Sequence, residues 1–326
     1  MKFFFRLLIA LMFCLLPLAG GYVMYGLPGP LPRDTPLVVP HGNLALVISE
    51  LQQQQALPDG KFFRLGFRLA AALTRRDGAI HAGELAFPTH ASMRELLQVL
   101  RMAPPVEHEL TIPEGLTSAQ IALLLAHGKA LSGPTPMPRE GSVLPETYAY
   151  QLNTRRNVLL GRMQQTMQRT LDAVWTKRDP ALGLADPAQL VTLASIVERE
   201  TALPAERPLV ARVFLNRMRL GMKLQSDPTV AYAASGGLGI LGRPLSRADL
   251  AQPGPYNTYA VAGLPPGPIC APGEASLQAV AHPATGDQLY FVADGTGGHA
   301  FASDLPAHVR NVARLRAREA GPVSGP

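Results

Sequence analysis

Residues 186–201 read D-P-A-Q-L-V-T-L-A-S-I-V-E-R-E-T and predict the helix around which the larger part of the chain folds. Asp186 is suited to cap this helix, Pro187 to take its first position and Gln189 its third. At about 100° per residue, one apolar face forms from Leu190, Leu193, Ala194, Val197 and Thr201. Helical patterns also occur on either side of this stretch, so we predict a mixed α+β chain whose larger domain is mostly helical.

Glu198 lies at the edge of this apolar face, whereas Arg199 is expected at the surface. Burial disfavours the charged form of a carboxyl, and a carboxyl that keeps its proton near neutral pH can act as a general acid. The structural alternative is that Glu198 is the buried partner of Arg207 or Arg212 in the next helix. Glu200, on the opposite flank, is expected to form an ion pair with an arginine.

Three other carboxylates lie in distinctive settings, and each has a simpler structural alternative. Glu114, in P-E-G, could cap or pair within its turn, and Glu146, in L-P-E-T-Y, could hold a loop. Asp227, in Q-S-D-P-T, could cap a helix. The segment P-Y-N-T-Y (255–259) precedes a proline-rich turn, and its aromatic and amide groups suit either sugar binding or a self-packed loop.

The composition predicts a folded protein of more than one unit. The chain has 326 residues, of which 47% are hydrophobic and 17% charged, against about 25% charged in a typical globular protein. This length suits roughly two domains and excludes one small module. The 30 glycines and 31 prolines indicate many loops, and the richest stretch, 235–272, suits the walls of a groove.

Charge and metal-binding residue types exclude several classes of function. The net charge of +6 comes from short, separated basic clusters, so we expect no nucleic-acid partner. Cys14 and Cys270 are too few for a disulfide framework or a cysteine zinc site. His282, His299 and His308 lack metal-ligand spacing, and no nucleotide-binding fingerprint occurs, so no metal or cofactor is expected.

The N-terminus predicts a membrane anchor. Lys2 and Arg6 precede residues 7–25, an uncharged run that would rise about 28 Å as a helix and just cross a bilayer. The apolar character continues past Ala19, which favours an uncleaved anchor over a signal peptide. Because both charges precede the span, we expect residues 1–6 in the cytoplasm and the rest of the chain outside it.

The remaining chain divides into a small and a large part. We predict a stiff spacer at 26–36, a strand–helix–helix–strand–helix module at 37–103, a connecting strand–helix segment and linker at 104–141, a larger domain at 142–318 and a flexible tail at 319–326. The main domain boundary is placed in the loop-like stretch 130–142.

Five segments together carry a resemblance that covers nearly the whole chain. They are L-A-S-I-V-E-R-E-T (193–201), V-F-L-N-R-M-R-L-G-M-K-L-Q-S-D-P-T-V (213–230), P-Y-N-T-Y (255–259), G-L-P-P-G-P-I (263–269) and F-V-A-D-G-T-G-G-H-A-F (291–301). In this order they resemble the YceG-like endolytic murein transglycosylases, bacterial inner-membrane proteins that cut peptidoglycan glycan strands. The pair Cys270-Ala271 departs from the family, in which a polar residue such as Asn is frequent.

The resemblance implies a role for each part of the chain. Glu198 would be the catalytic carboxylate, and 37–103 would be a LysM-like module that binds or positions glycan. The implied partners are glycan strands, inner-membrane lipid and peptidoglycan synthases, with no cofactor and with the catalytic part in the periplasm. The candidates for orienting the sugars or Glu198 are Gln225, Asp227, Tyr256, Asn257 and Thr258, and further candidates for binding the substrate are Glu146 and Glu114.

The implied reaction is that of a lyase. Glu198 would protonate the oxygen between MurNAc and GlcNAc and then take the proton of the MurNAc 6-hydroxyl, which leaves a 1,6-anhydro end and terminates the growing strand. One alternative is a lysozyme-like hydrolase in which Glu146 or Asp227 supplies the second carboxylate. Another is a non-catalytic scaffold that binds the wall.

Overall fold

The structure of the protein, a computed structural model, describes residues 12, 15 and 19–320. It is a mixed α+β protein with many helices and several two-stranded sheets, which confirms the predicted class. The chain forms two compact units. One runs up to His108 and includes Tyr150–Asn153, and the other contains Glu109–Ala149 and the chain from Thr154 onward.

The predicted membrane span, 7–25, lies largely outside the described residues. Its end is described, and residues 19–26 are helical. Within the described residues, no helix combines the length and apolarity that a membrane span requires. From 321 onward, the predicted tail also lies outside the described residues.

The first unit has the predicted strand–helix–helix–strand–helix order. Strand β1 (Thr35–Val39) pairs antiparallel with β2 (Gly83–Phe87), and Leu37 lies opposite Leu85. The two strands are connected through α1 (Leu44–Gln53) and α2 (Lys61–Leu73), and α3 (Met93–Met102) follows.

The caps and the core of this unit follow from its sequence. Asn43 accepts from the Leu46 amide at the start of α1, and Ser92 forms a capping box with Glu95 at the start of α3. The apolar side chains that the strands and helices turn inward form one buried core. Its largest fully buried members are Phe67, Phe87, Ile48, Leu57, Leu85, Leu96, Leu97 and Leu100.

The strands that follow are short. Strand β3 (Glu107–Thr111) pairs with β5 (Thr147–Gln151), and β4 (Leu131–Ser132) pairs in parallel with β6 (Thr154–Arg155). Helix α4 (Ser118–His127) lies between β3 and β4, and Thr117 and Gln120 form the predicted capping box at its start.

The division between the units falls at 108/109, earlier in the chain than the predicted boundary at 130–142. The reason is that 109–149 is hydrogen bonded within the second unit. The Ser118 amide and hydroxyl donate to Glu140, at 2.9 and 2.8 Å. The Gly115 amide donates to the carbonyl of Ala271, at 2.9 Å. The composition of the stretch is that of a loop, but its hydrogen bonds tie it to the second unit.

Helices dominate the rest of the second unit. They are α5 (Arg156–Lys177), α6 (Pro187–Glu200), α7 (Arg207–Arg219), α8 (Asp227–Ala234), α9 (Arg247–Ala251), α10 (Glu274–Ala281) and α11 (Leu305–Glu319). A hairpin of β7 (Tyr290–Ala293) and β8 (His299–Ala302) precedes α11. Gly221, just after α7, has φ +67°, which suits the predicted glycine at that helix end.

Helix α6 is the centre of this unit. It begins as predicted, with Pro187 at its first position and with the Asp186 carboxylate accepting from the Gln189 amide at 2.9 Å. The expectation of one buried face was wrong, because residues 190–197 are all buried. Helices α5, α7, α8 and α10 pack around α6, so it has no solvent-facing side over that stretch. This burial fixes the end of the helix, where Glu198 lies.

Candidate active site

Glu198 is held by two hydrogen-bond donors at the end of α6. Its side chain is only 5% exposed. Oε1 accepts from Arg207 Nη2 at 3.2 Å, and Oε2 accepts from the Gly273 amide at 2.9 Å. The predicted partnership with Arg207 is therefore confirmed, whereas Arg212 instead donates to the carbonyl of Ala284. Both donors stabilise negative charge on the Glu198 carboxylate.

Glu114 shares the same guanidinium nitrogen. Its Oε2 also lies 3.2 Å from Arg207 Nη2. The Glu114 side chain is 44% exposed, whereas that of Arg207 is 10% exposed. The turn-capping alternative for Glu114 does not describe this arrangement, since its partner belongs to a different element. The two carboxylates and one guanidinium form a cluster, and Glu114 is the member most open to solvent.

A short backbone pairing brings Glu114 and Gly273 to α6. The Gly115 amide donates to the carbonyl of Ala271 at 2.9 Å, and the Ala271 amide donates to the carbonyl of Leu116 at 2.8 Å. Gly115 has φ +75°, a conformation that glycine adopts without strain. The pairing joins two segments that are far apart in the sequence.

Ser195 attaches one of these segments to α6. The Ser195 hydroxyl accepts from the Ile269 amide at 3.0 Å, and the Cys270 thiol donates to the Ser195 carbonyl at 3.3 Å. Cys270 is fully buried, and burial raises the pKa of its thiol, so the thiol stays protonated and can donate. The Cys270 side chain thus forms a hydrogen bond to the helix.

A side chain at Gly273 would displace Glu114 from its present position. A Cβ at this position would lie 1.8 Å from Oε1 of Glu114. Gly273 is also the N-cap of α10, so its amide lies at a helix terminus that carries partial positive charge. Glycine therefore allows Glu114 to approach while its own amide binds Glu198.

Arg199 takes part in the surroundings of the site, which corrects its assignment as an ordinary surface residue. Its side chain donates to the carbonyl of Gly115 at 3.4 Å and to that of Gly239 at 3.1 Å. It is exposed, but it links the turn that carries Glu114 to the loop after α8. The two contacts hold these segments together at the mouth of the cluster.

Glu200 is a buried carboxyl without the expected arginine partner. Among the described residues, no arginine forms an ion pair with it; the Ser226 hydroxyl donates to its Oε1. Burial raises the pKa of Glu200 to about 7, and the nearby charge of Asp227 adds to the shift. The Arg217 guanidinium instead donates to backbone carbonyls, including that of Leu289 at 2.6 Å. Glu200 links the end of α6 to the start of α8.

Asp227 does not cap α8, so the helix-cap alternative for this residue was wrong. The N-cap is Ser226, and Asp227 is the first helical residue. The Asp227 carboxylate accepts from the Tyr259 hydroxyl at 2.6 Å. The preceding Gln225 is exposed and has φ +53°, a strained conformation for a residue other than glycine, and its amide donates to the carbonyl of Thr258 at 3.1 Å. Gln225 and Asp227 both remain accessible to a ligand.

Asn257 and Thr258 are buried, which corrects their assignment as sugar contacts. The Asn257 amide group donates to the carbonyls of Gln252, at 2.7 Å, and Leu250, at 3.0 Å. The Thr258 hydroxyl accepts from the Ser226 amide at 2.9 Å. Both side chains are used within the protein, so they shape the loop instead of facing a substrate.

Glu140 lies in the second unit and was not among the site residues predicted from the sequence. Its carboxylate accepts from the Ser118 amide and hydroxyl and from the Tyr232 hydroxyl, at 3.2 Å. Burial raises the pKa of Glu140. Tyr232 packs against Tyr256 with ring centroids 5.1 Å apart, so Tyr256 is half-buried in this cluster. Glu140 follows a proline-rich stretch without periodicity, and no local signal indicated its burial.

Glu146 is not brought to Glu198. It is exposed just before β5, and its backbone carbonyl accepts from the Ile112 amide at 2.9 Å. No hydrogen bond or ion pair joins its carboxylate to Glu198, Glu114 or Arg207. The simpler prediction for Glu146, a residue that holds a loop, fits this position better.

The glycine- and proline-rich stretch does form a concave surface. A cavity of about 470 Å³ lies between α8, α9 and residues 252–254. Within residues 12, 15 and 19–320, no three His, Cys, Asp or Glu side chains are grouped so as to hold a metal ion. The cluster places two carboxyl groups next to a fixed guanidinium and a backbone amide, an arrangement that suits proton transfer.

Comparisons with known proteins agree on one family. The model described as the YceG-like family matches residues 37–314. The endolytic murein transglycosylase of Bacillus subtilis (strain 168) is 37% identical over 175 residues, which are 52% of this chain and 46% of that protein. That of Streptococcus pneumoniae serotype 2 is 35% identical over 181 residues, 53% of this chain and 32% of that protein. The chain thus matches less than half the length of these curated relatives.

A solved structure shares the fold. The crystal structure of a YceG-like protein from Listeria monocytogenes has a TM-score of 0.52 with this chain at 24% sequence identity. The match covers 86% of this chain and 99% of that one.

Proposed function

Because this chain belongs to the YceG-like family, we propose that it is a membrane-anchored endolytic lytic transglycosylase. Its substrate would be the nascent glycan strand of peptidoglycan, cut between MurNAc and GlcNAc. The observation that carries the proposal is the fixed position of Glu198 between the Arg207 guanidinium and the Gly273 amide. The names of the curated relatives supply the reaction class.

In the proposed reaction Glu198 serves first as acid and then as base. Its carboxyl proton passes to the glycosidic oxygen as the bond from that oxygen to MurNAc C1 breaks. The 6-hydroxyl oxygen of the same MurNAc bonds to C1, and its proton returns to Glu198. The products are a 1,6-anhydro end and a free GlcNAc end, and no water is consumed. One carboxyl suffices because the substrate supplies the nucleophile.

Arg207 and the Gly273 amide assist this cycle. Charge develops on Glu198 when it gives up its proton, and both donors already lie in place to stabilise that charge. Glu114 shares Arg207 and is open to solvent, so we assign it to hydrogen bonding with the sugars. Gln225 and Asp227 are exposed near the start of α8 and are proposed as further sugar contacts.

The first unit is proposed to be a LysM-like module that positions the strand. Its strand–helix–helix–strand–helix order supports this assignment. Residues 7–25 would anchor the chain in the inner membrane and place both units in the periplasm. Cleavage there would end strand elongation, and peptidoglycan synthases are the expected protein partners.

A single substitution tests the activity. Glu198→Gln keeps the shape of the side chain and removes its acidic proton. The full chain, incubated with uncrosslinked glycan strands, is expected to release anhydro-ended fragments, and the variant to do so at least about 100-fold more slowly. Glu109→Gln, an exposed position on β3, is the matched control. Release by Glu198→Gln at the control rate would overturn the assignment.

The position of Glu114 supports a second candidate function, that of a lysozyme-like hydrolase. Hydrolysis requires a second carboxylate, and Glu114 shares Arg207 with Glu198, a role that Glu146 does not fill. Mass spectrometry of the fragments separates the two reactions. A new MurNAc end that carries an added water indicates hydrolysis, and an end without it indicates the lyase. Binding of strands without any cleavage by the unsubstituted chain would favour the scaffold.

A further inference from the structure

Helix α2 exposes a continuous apolar stripe. Phe62, Leu65, Leu69 and Leu73 follow one another at spacings of three and four residues and are between 56% and 84% exposed. This spacing places them on one side of the helix. The opposite side buries Phe67 in the core of the first unit. The helix therefore has two apolar sides, and the fold uses only one of them.

The stripe is bordered by positive charge. Residues 61–76 contain five basic side chains and no acidic one. The basic residues are Lys61, Arg64, Arg68, Arg75 and Arg76, and all of them are exposed. On a helical projection, Lys61 and Arg68 lie beside the stripe, and Arg75 and Arg76 follow the helix end. Arg64 lies farther round the helix and donates to the Gln52 side chain at 3.1 Å. An exposed apolar stripe with a basic border is typical of helices that lie in a membrane interface.

The stripe adjoins the end of the predicted membrane span. Met24, in the helical residues 19–26, packs so closely on Gly66 that a Cβ there would lie 2.1 Å from its Cε. An apolar cavity of about 350 Å³ is lined by Tyr22, Tyr25 and Leu69, among other residues. The exposed side of α2 is therefore continuous with the segment through which the chain would leave the bilayer.

We propose that α2 lies flat in the outer interface of the membrane that anchors the chain. The stripe enters the acyl-chain boundary, and the basic border binds the phosphates of anionic lipid headgroups. A lipid surface fits better than a second protein because the apolar stripe, the one-sided charge and the adjoining span all coincide. The inference rests in part on the proposed anchor. It adds a second attachment that fixes the first unit against the bilayer.

Fluorescence of the full chain in lipid vesicles tests this proposal. Trp175, the single tryptophan, is replaced by Phe, and a probe is placed on the stripe by Phe62→Trp. The vesicles contain phosphatidylcholine and phosphatidylglycerol with bromine on the acyl chains, which quenches nearby tryptophan. Met102→Trp, at an exposed position ending α3, is the matched control. We expect roughly twofold or stronger quenching at position 62 and little at 102.

Two further measurements decide the remaining outcomes. Vesicle flotation first reports whether the chain is bound, so loss of the anchor is distinguished from loss of the α2 contact. A chain that does not float overturns both proposals. If the chain floats but quenching is equal at the two positions, only the proposed α2 contact is overturned. A probe at position 62 that is blue-shifted but unquenched also overturns that contact, because protein and not lipid then covers it. Replacing Arg68 and Arg75 by Glu is expected to reduce quenching at position 62 and leave flotation intact.

Discussion

Glu198 and Arg207 lie nine residues apart in the chain and meet across the turn between α6 and α7, with 3.2 Å between Oε1 and Nη2. Both side chains are largely buried, with 5% of Glu198 and 10% of Arg207 exposed. Because Arg207 also binds Glu114, its guanidinium sets the geometry of both carboxylates.

Arg207→Lys is expected to lower activity while the protein stays folded. An ammonium keeps the charge, but it is more compact than the guanidinium fork and cannot hold two carboxylates in the same way. We expect a fall in kcat of about tenfold to a hundredfold with a smaller change in KM. Arg207→Ala should in addition destabilise the fold by about 3 kcal/mol, since Glu198 would remain buried and unpaired. Urea denaturation and strand cleavage measure the two effects. Equal rates for wild type and Arg207→Lys would contradict the assigned role.

Gly273→Ala is expected to displace Glu114 without removing the amide that binds Glu198. The new Cβ would lie 1.8 Å from Glu114 Oε1, and the backbone φ of −72° suits alanine. Glu114 is half exposed and can move away. The variant should therefore resemble Glu114→Gln, with a raised KM for glycan strands and a small effect on stability. If the two variants differ widely in KM, Glu114 is not the group that the glycine accommodates.

Glu200 is expected to make stability depend on pH. Its pKa is about 7 in the folded protein against 4.5 as the ordinary value. Glu200 thus binds its proton more tightly in the folded chain than in the unfolded chain. Its contribution to the free energy of unfolding is full below pH 4.5 and is lost as pH rises through 7. Between about pH 5 and pH 8 the contribution of Glu200 to the free energy of unfolding falls by roughly 2 to 3 kcal/mol. Glu200→Gln should remove this decline, as urea denaturation at both pH values would measure. An unchanged pH dependence in the variant would show that a group other than Glu200 causes it.

Ser195→Ala is expected to loosen the segment that carries Gly273. The substitution leaves the buried Ile269 amide without its acceptor, which costs about 1–3 kcal/mol. The same loss should reduce activity, because the Gly273 amide is positioned through this segment. Thr176→Ala, at an exposed position of α5 where the hydroxyl bonds only within its own helix, is the control and should change stability by less than about 0.5 kcal/mol. A Ser195→Ala protein as stable as the control would contradict this role.

Elements with local signals were well predicted from the sequence. Asp186, Pro187 and Gln189 start α6 as expected, and the capping boxes of α3 and α4 are likewise built from residues within one turn of Ser92 and Thr117. Caps act within one turn, so the information lies in a few consecutive residues. The family resemblance drawn from five motifs is also confirmed.

Contacts between residues far apart in the chain could not be predicted from local sequence patterns. Glu198 was singled out correctly as a buried carboxyl beside Arg207, but its bond to the Gly273 amide joins residues 75 positions apart. The burial of Glu140 could not be predicted from the residues around it, because it depends on Ser118 and Tyr232, which the fold brings together. The role of Asn257 was mistaken because an amide side chain looks the same in sequence whether it binds a sugar or its own loop.

The backbone pairing between Gly115, Leu116 and Ala271 also constrains when the candidate site can be complete. Glu114 reaches Arg207 across 93 positions of the chain, and Glu198 reaches Gly273 across 75. Contacts of such separation require closure of long loops, which costs conformational entropy. A chain that ends after α7 would carry Glu198 without its amide donor. The donor set of Glu198 is thus expected to be complete only once the C-terminal third of the chain is present and folded.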